Sequence, residues 1–396
     1  MAGWGLGAHF AEYAIGDHAI APNRGRAGEN RCMINYYELG PDKRLNEIVV
    51  AGSHDAAITS GKDNVKTQAL NIFLQAGVGV RVFDLRIAAD AVPVAPGEQK
   101  RVELKAFHAD AFFQKNEVKV RQVGGMGPMP VVRTKLRAGA FGIGLEKMLE
   151  EARDFVKSPG GRTEFLILKF DKCQNWTLIA EACTYVLGDA LYKGGGNLNT
   201  TKLKDLRGKV VVLFSSKGVT EVARLFGPRD GILGFKNLYD KEKKTTYEDD
   251  FEGLQYFGKG GTSPTPWNAF YKQSQNESKQ GKLLAAGKAL VSPQVMAMMY
   301  WTTTGLIESI KKRNQKMWES PNVEKMKKLW ASGLCDMVEQ RNPFKVPDGS
   351  PAIGPLRKRF MPNIVMIDFA DEQKCQVIRA LNDLTPAELA LLEAPV

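Results

Sequence analysis

Cysteine is scarce in this sequence and histidine scarcer. The five cysteines, Cys32, Cys173, Cys183, Cys335 and Cys375, are an odd number without metal-ligand spacing, so neither a disulfide framework nor a zinc site is indicated. No run of about eighteen apolar residues occurs, which argues against a membrane-spanning helix. The opening M-A-G-W-G-L-G-A-H-F-A-E-Y lacks a basic stretch followed by an apolar one and is not expected to act as a cleavable secretion signal. Ala2 stands where N-myristoylation needs glycine. With no helix-turn-helix, zinc-finger or aromatic RNA-binding signature, nucleic acid is not an expected partner. Internal repeats and low-complexity tracts are also missing, and nothing in the sequence fixes an oligomeric state.

What is present suits one large core. A chain of 396 residues with 43% apolar content and 39 glycines is long enough for a single α/β barrel without a second domain. The net charge of +11 is unevenly spread. Roughly half of it falls between Tyr300 and Phe360, in I-K-K-R-N-Q-K-M-W, E-K-M-K-K-L-W and L-R-K-R-F. Trp318 and Trp330 close two of these clusters. Basic residues beside indoles fit an anionic lipid surface, while the alternative is an ordinary solvated helix face.

Residues 1–44 have no sustained period and read as an extension, with His9 and His18 in structural roles. Eight apolar runs then read as strands: Ile48 to Ala51, Val80 to Ala88, Lys105 to Phe107, Phe165 to Asp171, Lys209 to Ser216, Gly231 to Lys236, Val295 to Thr304 and Asn363 to Ala370. Helices are predicted between them. The segment from Thr67 has a helical stripe of Leu70, Phe73 and Leu74 that stops at Gly77, and Gly144 to Val156 has one of Leu145, Met148, Leu149 and Phe155. Gly305 to Trp318 and Glu372 to Leu384 also read as helical, and T-P-A-E at Thr385 to Glu388 is a capping box opening a last short helix. Asp90 to Glu103 reads as a loop or hairpin, and Asn342 to Pro362 as a long loop. Strands interleaved with helices predict an irregular (β/α)8 TIM-type barrel in a single catalytic domain.

In such a barrel the chemistry gathers at the C-terminal ends of the strands. His54 follows the first strand, Asp84 and Arg86 end the second, His108 the third, Lys169 and Asp171 the fourth, and Asp368 the last. Two histidines beside an arginine make an acid, a base and a phosphate clamp.

The order of these residues resembles the catalytic X region of phosphatidylinositol-specific phospholipases C. S-H-D-A-A resembles that family's histidine motif, T-Q-A-L-N-I-F-L-Q-A-G-V-G-V-R-V-F-D-L-R its helix and following strand, and I-V-M-I-D-F-A with Q-V-I-R-A-L-N its last strand and helix. The resemblance runs from about Leu45 to Leu384 and makes 45–396 the catalytic barrel. It implies that His54 is the general base, supported by Asp368. His108 is then the general acid with Asp55 as its partner, Arg86 donates to the phosphate, and Asp84 orients the network. In eukaryotic members an asparagine and an E-x-D pair supply calcium ligands at the positions of Asp55, Asp84 and Arg86. An arginine cannot ligate a cation, so the resemblance is to the bacterial, metal-independent type, with no metal or other cofactor expected.

Lys169 and Asp171 correspond to the family's K-x-E pair on inositol hydroxyls, with Asp one methylene shorter. An arginine expected at the end of the fifth strand is missing; Lys217 is the nearest substitute, and Asp240 is a further candidate on the headgroup. The expected substrate is therefore an inositol phospholipid, plain or glycosylated, cleaved to diacylglycerol and a cyclic inositol phosphate. The alternatives are a metal-dependent phosphodiesterase of the glycerophosphodiester or sphingomyelinase D type, and a non-catalytic lipid-binding module. Peripheral membrane association is expected, in a bacterial toxin or effector exported without a classical signal or in a cytoplasmic protein.

Overall fold

Eight runs of buried residues close into one barrel. The computed structural model describes residues 34–91, 102–109, 114–122, 128–239, 246–260, 276, 279–280, 294–303, 309–318 and 362–383. In chain order the strands are β1 (Val50–Ser53), β2 (Val80–Leu85), β3 (Ile87–Ala91), β4 (Val102–His108), β5 (Gln114–Gln122), β6 (Pro128–Leu136), β7 (Ala140–Gly144), β8 (Phe165–Phe170), β9 (Lys209–Phe214), β10 (Ile232–Asn237), β11 (Gly253–Lys259), β12 (Met296–Trp301) and β13 (Ile364–Ile367). The helices are α1 (Ile72–Gly77), α2 (Leu145–Lys157), α3 (Trp176–Leu187), α4 (Leu203–Leu206), α5 (Ser216–Val222), α6 (Ile310–Trp318) and α7 (Glu372–Ala380).

The closed order is β1-β13-β12-β11-β10-β9-β8-β2, and every neighbouring pair is parallel. Parallel strands covered on both faces read as unbroken apolar runs, and β8 and β12 are buried along their whole length. The covering helices follow from their own periodicity. In α2 the residues Leu145, Met148, Leu149, Ala152, Phe155 and Val156 are buried at three- and four-residue spacing. Asp371 caps α7 by accepting from the Lys374 amide.

The predicted barrel is found, with two of its parts exchanged. The His108 strand, β4, is not a barrel stave: it belongs to a second sheet of order β5-β6-β3-β4-β7, inserted between β2 and β8. The expected second strand breaks at Arg86, so that β2 stays in the barrel while β3 turns into this sheet and pairs antiparallel with β4. Asp90 and Ala91 face Glu103 and Val102 across the antiparallel β3–β4 pair, and residues 92–101 lie outside the described residues. The eighth stave is β11, which was not predicted. It starts at Gly253, whose φ of 145° and close approach to the Gly234 carbonyl leave no room for a Cβ.

One helical expectation also shifts. Helix α1 starts only at Ile72 and buries Ile72, Gln75 and Ala76, while Leu74 is 50% exposed. Gln75 tolerates burial because its amide donates to the Ala56 and Leu70 carbonyls. The T-P-A-E helix, the Asn342–Pro362 loop up to its last residue and most of residues 1–44 lie outside the described residues.

At the end of the barrel where the strands begin, a buried ion pair closes the core. Arg81 Nε lies 2.6 Å from Glu164 Oε2, and the guanidinium also donates to the Ile34, Ala76 and Val80 carbonyls. Glu164 Oε1 accepts from the Tyr36 and Tyr37 amides, so residues 34–37 are tied into the barrel floor. No helix among the described residues is long and apolar enough to cross a membrane.

Candidate active site

The first turn after β1 sets the geometry. The His54 amide continues the ladder by donating to the Ile367 carbonyl, and Asp55 then takes φ 42°, the left-handed region in which aspartate is among the tolerated residues. That reversal sends neighbouring side chains to different partners. His54 Nδ1 lies 3.0 Å from Asp368 Oδ1, whereas Asp55 Oδ2 receives His108 Nδ1 at 2.7 Å and faces His54 Nε2 at 3.5 Å. Arg86 Nε is an ion-pair neighbour of Asp55 Oδ1 at 3.0 Å, without the alignment of a hydrogen bond. One carboxylate thus joins both histidines and the arginine, although His108 arrives from the inserted sheet.

A further group of charges is centred on Asp84. Asp84 and Lys169 are register partners on β2 and β8, and Lys169 Nζ donates to Asp84 Oδ1 at 2.8 Å. Tyr300 OH donates to Asp84 Oδ2 at 3.4 Å, and its ring stands edge-on to His54 at 5.7 Å. Lys169 also sits over the Phe235 ring at 4.5 Å and reaches Asp171 at 3.8 Å.

Burial makes these charges interdependent. Desolvation alone pulls the His54 imidazole down, but the charges of Asp55 and Asp368 and the hydrogen bond to Asp368 outweigh it and push the group up to about 9. Burial works against the Asp55 carboxylate, yet Arg86, His54 and His108 hold it well below the usual range. Asp84 is lowered too: burial opposes its charge, and Lys169 and His54 overcome that. Lys169 is the mirror case, disfavoured by burial and held charged by Asp84.

The carboxylates that a divalent cation would use are therefore already faced by protein cations, Asp55 by Arg86 and Asp84 by Lys169. Such a donor set does not fit a divalent metal. No group of three or more His, Cys, Asp or Glu suited to a metal occurs among the described residues.

Of the residues singled out from the sequence, His54, Asp55, Asp84, Arg86, His108, Lys169 and Asp368 form one connected cluster, with Asp171 at its edge. Lys217 does not join it: the side chain is 63% exposed and pairs with Glu221 one turn along α5. Asp240 lies outside the described residues.

Several positioning groups had no distinct signal in the sequence. Gln68 Nε2 bridges the His54 and Ile367 carbonyls while its Oε1 accepts from the Ala370 amide, so one side chain holds the ends of β1 and β13 together. Thr67 Oγ1 donates to the Asp55 carbonyl. Both sit in the T-Q pair read as the start of a helix; the failure of that helix to begin before Ile72 frees them for this work.

No family description and no curated protein matches the chain. Solved structures similar to it include a mutant of the phosphatidylinositol-specific phospholipase C of Staphylococcus aureus, at 15% identity and a TM-score of 0.46 over 87% of this chain and 95% of that one. A pentafluoro-Phe form of the Staphylococcus aureus enzyme gives 16% and 0.44 over 88% and 96%. A calcium-dependent phosphoinositol-specific phospholipase C from a Gram-negative Pseudomonas species gives 12% and 0.33 over 65% and 83%.

Proposed function

We propose that this chain cleaves the phosphodiester of an inositol phospholipid by metal-independent attack of a substrate hydroxyl. The observation that carries the reading is Asp55, whose carboxylate contacts His54, His108 and Arg86 at once. His54 Nδ1 is engaged by Asp368, so the atom left to take a proton from the inositol hydroxyl is Nε2. Arg86 spends Nε on Asp55 and keeps its terminal nitrogens for the non-bridging phosphate oxygens. His108, turned to Asp55 through Nδ1, offers Nε2 to the departing alkoxide. The products are diacylglycerol and a cyclic inositol phosphate, with slow hydrolysis of the cyclic ester as a second step.

Lys169, Asp171 and Asp84 supply polar contacts for inositol hydroxyls beside the rings of Phe235 and Tyr300. The lack of an arginine after β9 extends the candidate headgroups from plain phosphatidylinositol to glycosylated ones. Adsorption to an anionic membrane surface through basic segments belongs to the same reading.

Release of diacylglycerol from phosphatidylinositol vesicles, with and without excess chelator, tests the proposal. Turnover is expected at the same rate in both, and Arg86→Lys is expected to slow it strongly because an ammonium lacks the planar fork. Loss of activity on chelation would point instead to a metal-dependent phosphodiesterase.

A further inference from the structure

We propose that Asn314 is a positioning residue for the candidate base, clamping Asp368 in the orientation that receives His54 Nδ1. The inference rests on the reading of His54 as a base given above. Asn314 lies in the middle of α6, a helix of mostly basic and polar composition, and is 1% exposed while its neighbours Lys311, Lys312 and Gln315 are exposed.

Its side-chain nitrogen has three acceptors in reach. They are the Ile310 carbonyl at 3.0 Å, the Thr303 carbonyl at 3.3 Å and Asp368 Oδ2 at 3.0 Å. An amide nitrogen carries two hydrogens, and the charged acceptor holds one of them most strongly. The three acceptors also fix which way the amide faces, since its reverse would set Oδ1 against a carboxylate and two carbonyls. Asn314 Oδ1 has no hydrogen-bond partner among the described residues. A buried acceptor left unpaired is a cost that an aliphatic side chain would avoid. What the amide supplies, and an aliphatic chain does not, is the N–H donated to Asp368.

Asp368 is fully buried and is held at both oxygens, Oδ1 by His54 and Oδ2 by Asn314. The helix is anchored on the other side as well, because the Ile310 amide donates to the Asp63 carbonyl in the segment following His54. Helix α6 therefore touches the chain beyond β1, the end of β12 at Thr303 and the end of β13 at Asp368. It sets the angle at which the carboxylate meets the imidazole.

The test reads the imidazole directly in the full chain. The charged and titratable groups around His54 are Asp55 beside it, Asp84 and Arg86 at the end of β2, Asp368 after β13, and Tyr300 of β12. All are kept in the variants Asn314→Leu and Asn314→Ala. Without the clamp the Asp368 carboxylate turns away from Nδ1 and supports the imidazolium less, so the His54 titration followed by 15N NMR is expected to move downward. On a short-chain phosphatidylinositol below its micelle concentration, kcat is expected to fall by about 10²-fold with KM nearly unchanged, as for a misplaced catalytic group.

A folded variant with wild-type kcat and an unmoved His54 titration would overturn the proposal. So would a fall in kcat with the titration unmoved, which would assign Asn314 to packing alone. Should Asn314→Leu not fold, Asn314→Ala carries the same two readouts. If the wild-type chain cleaves no inositol lipid, the reading of function fails while the NMR arm still decides the role of Asn314.

Discussion

At the scale of single residues, the site is built on conformations that side chains seldom adopt. Asp55, Lys172 and Phe369 have φ of 42°, 53° and 47°, and each adjoins a site residue or is one. Such positions cost about 1–3 kcal/mol each and persist where the surroundings over-determine them; here Thr67 fixes Asp55 and receives the Phe369 amide. His54→Ala and His108→Ala are each expected to lower kcat by about 10² to 10⁴-fold without unfolding the chain. Near-normal turnover in either variant, measured on soluble substrate, would remove the mechanism. The raised His54 value has two consequences of opposite sign. In the proposed role of base it must be neutral, so the acid limb of kcat/KM is expected to extend up to about pH 9 rather than end near an ordinary histidine value. For stability, the folded chain binds this proton more tightly than the unfolded one. The contribution is complete below about pH 6.5 and is lost as pH rises through about 9. Denaturation midpoints across that window should fall in the wild type and fall less in His54→Gln; parallel curves would contradict the assignment.

At the scale of elements, the strand ends were legible and the strand partners were not. His54, Arg86 and Asp368 could be read as polar residues closing apolar runs because that pattern is local. Membership of a sheet is not local. The K-A-F-H run looks the same whether it pairs parallel in a barrel or antiparallel with β3, and only the break at Arg86 diverts it. β11 escaped notice because G-L-Q-Y-F-G-K opens on a glycine and carries a glutamine and another glycine, all of which read as loop. The Gln255 side chain is buried only because it accepts from the Glu248 amide and donates to the Glu248 carbonyl, a contact no periodicity announces. The basic segments divide similarly. Lys325 to Lys328 lie outside the described residues, but Lys311 and Lys312 are exposed on α6, beside the segment that follows His54. At about 1 kcal/mol per basic residue near an anionic surface, Lys311→Glu with Lys312→Glu is expected to weaken binding to phosphatidylserine-containing vesicles by roughly tenfold or more at low salt. The difference should shrink as the Debye length falls to about 8 Å at physiological salt. Equal sedimentation of the two proteins at low salt would make these lysines an ordinary solvated face.

At the scale of the whole molecule, the barrel separates its reactive end from the end that holds it shut. The cluster around Asp55 sits where strands finish, and Arg81 with Glu164 sits where β2 and β8 begin. The sequence offered no hint of this pair, because a charged residue inside an apolar run reads equally well as a solvent-facing position. Its side chains are 0% and 1% exposed, with the guanidinium over the rings of Tyr36 and Phe155. Removing one member of such a pair leaves the other buried and uncompensated, so Arg81→Met is expected to cost about 3–5 kcal/mol. Adding Glu164→Leu removes the stranded charge and should recover part of that loss. Recovery should stay incomplete, since the carbonyls of Ile34, Ala76 and Val80 lose the guanidinium and the amides of Tyr36 and Tyr37 lose the carboxylate as well. Urea denaturation of the two single variants and the double one measures the coupling. A loss below about 1 kcal/mol in Arg81→Met would mean that the floor of the barrel relaxes to admit water around Glu164. Where the variants remain folded, kcat is expected to match the wild type, because none of these contacts reaches the cluster at the other end.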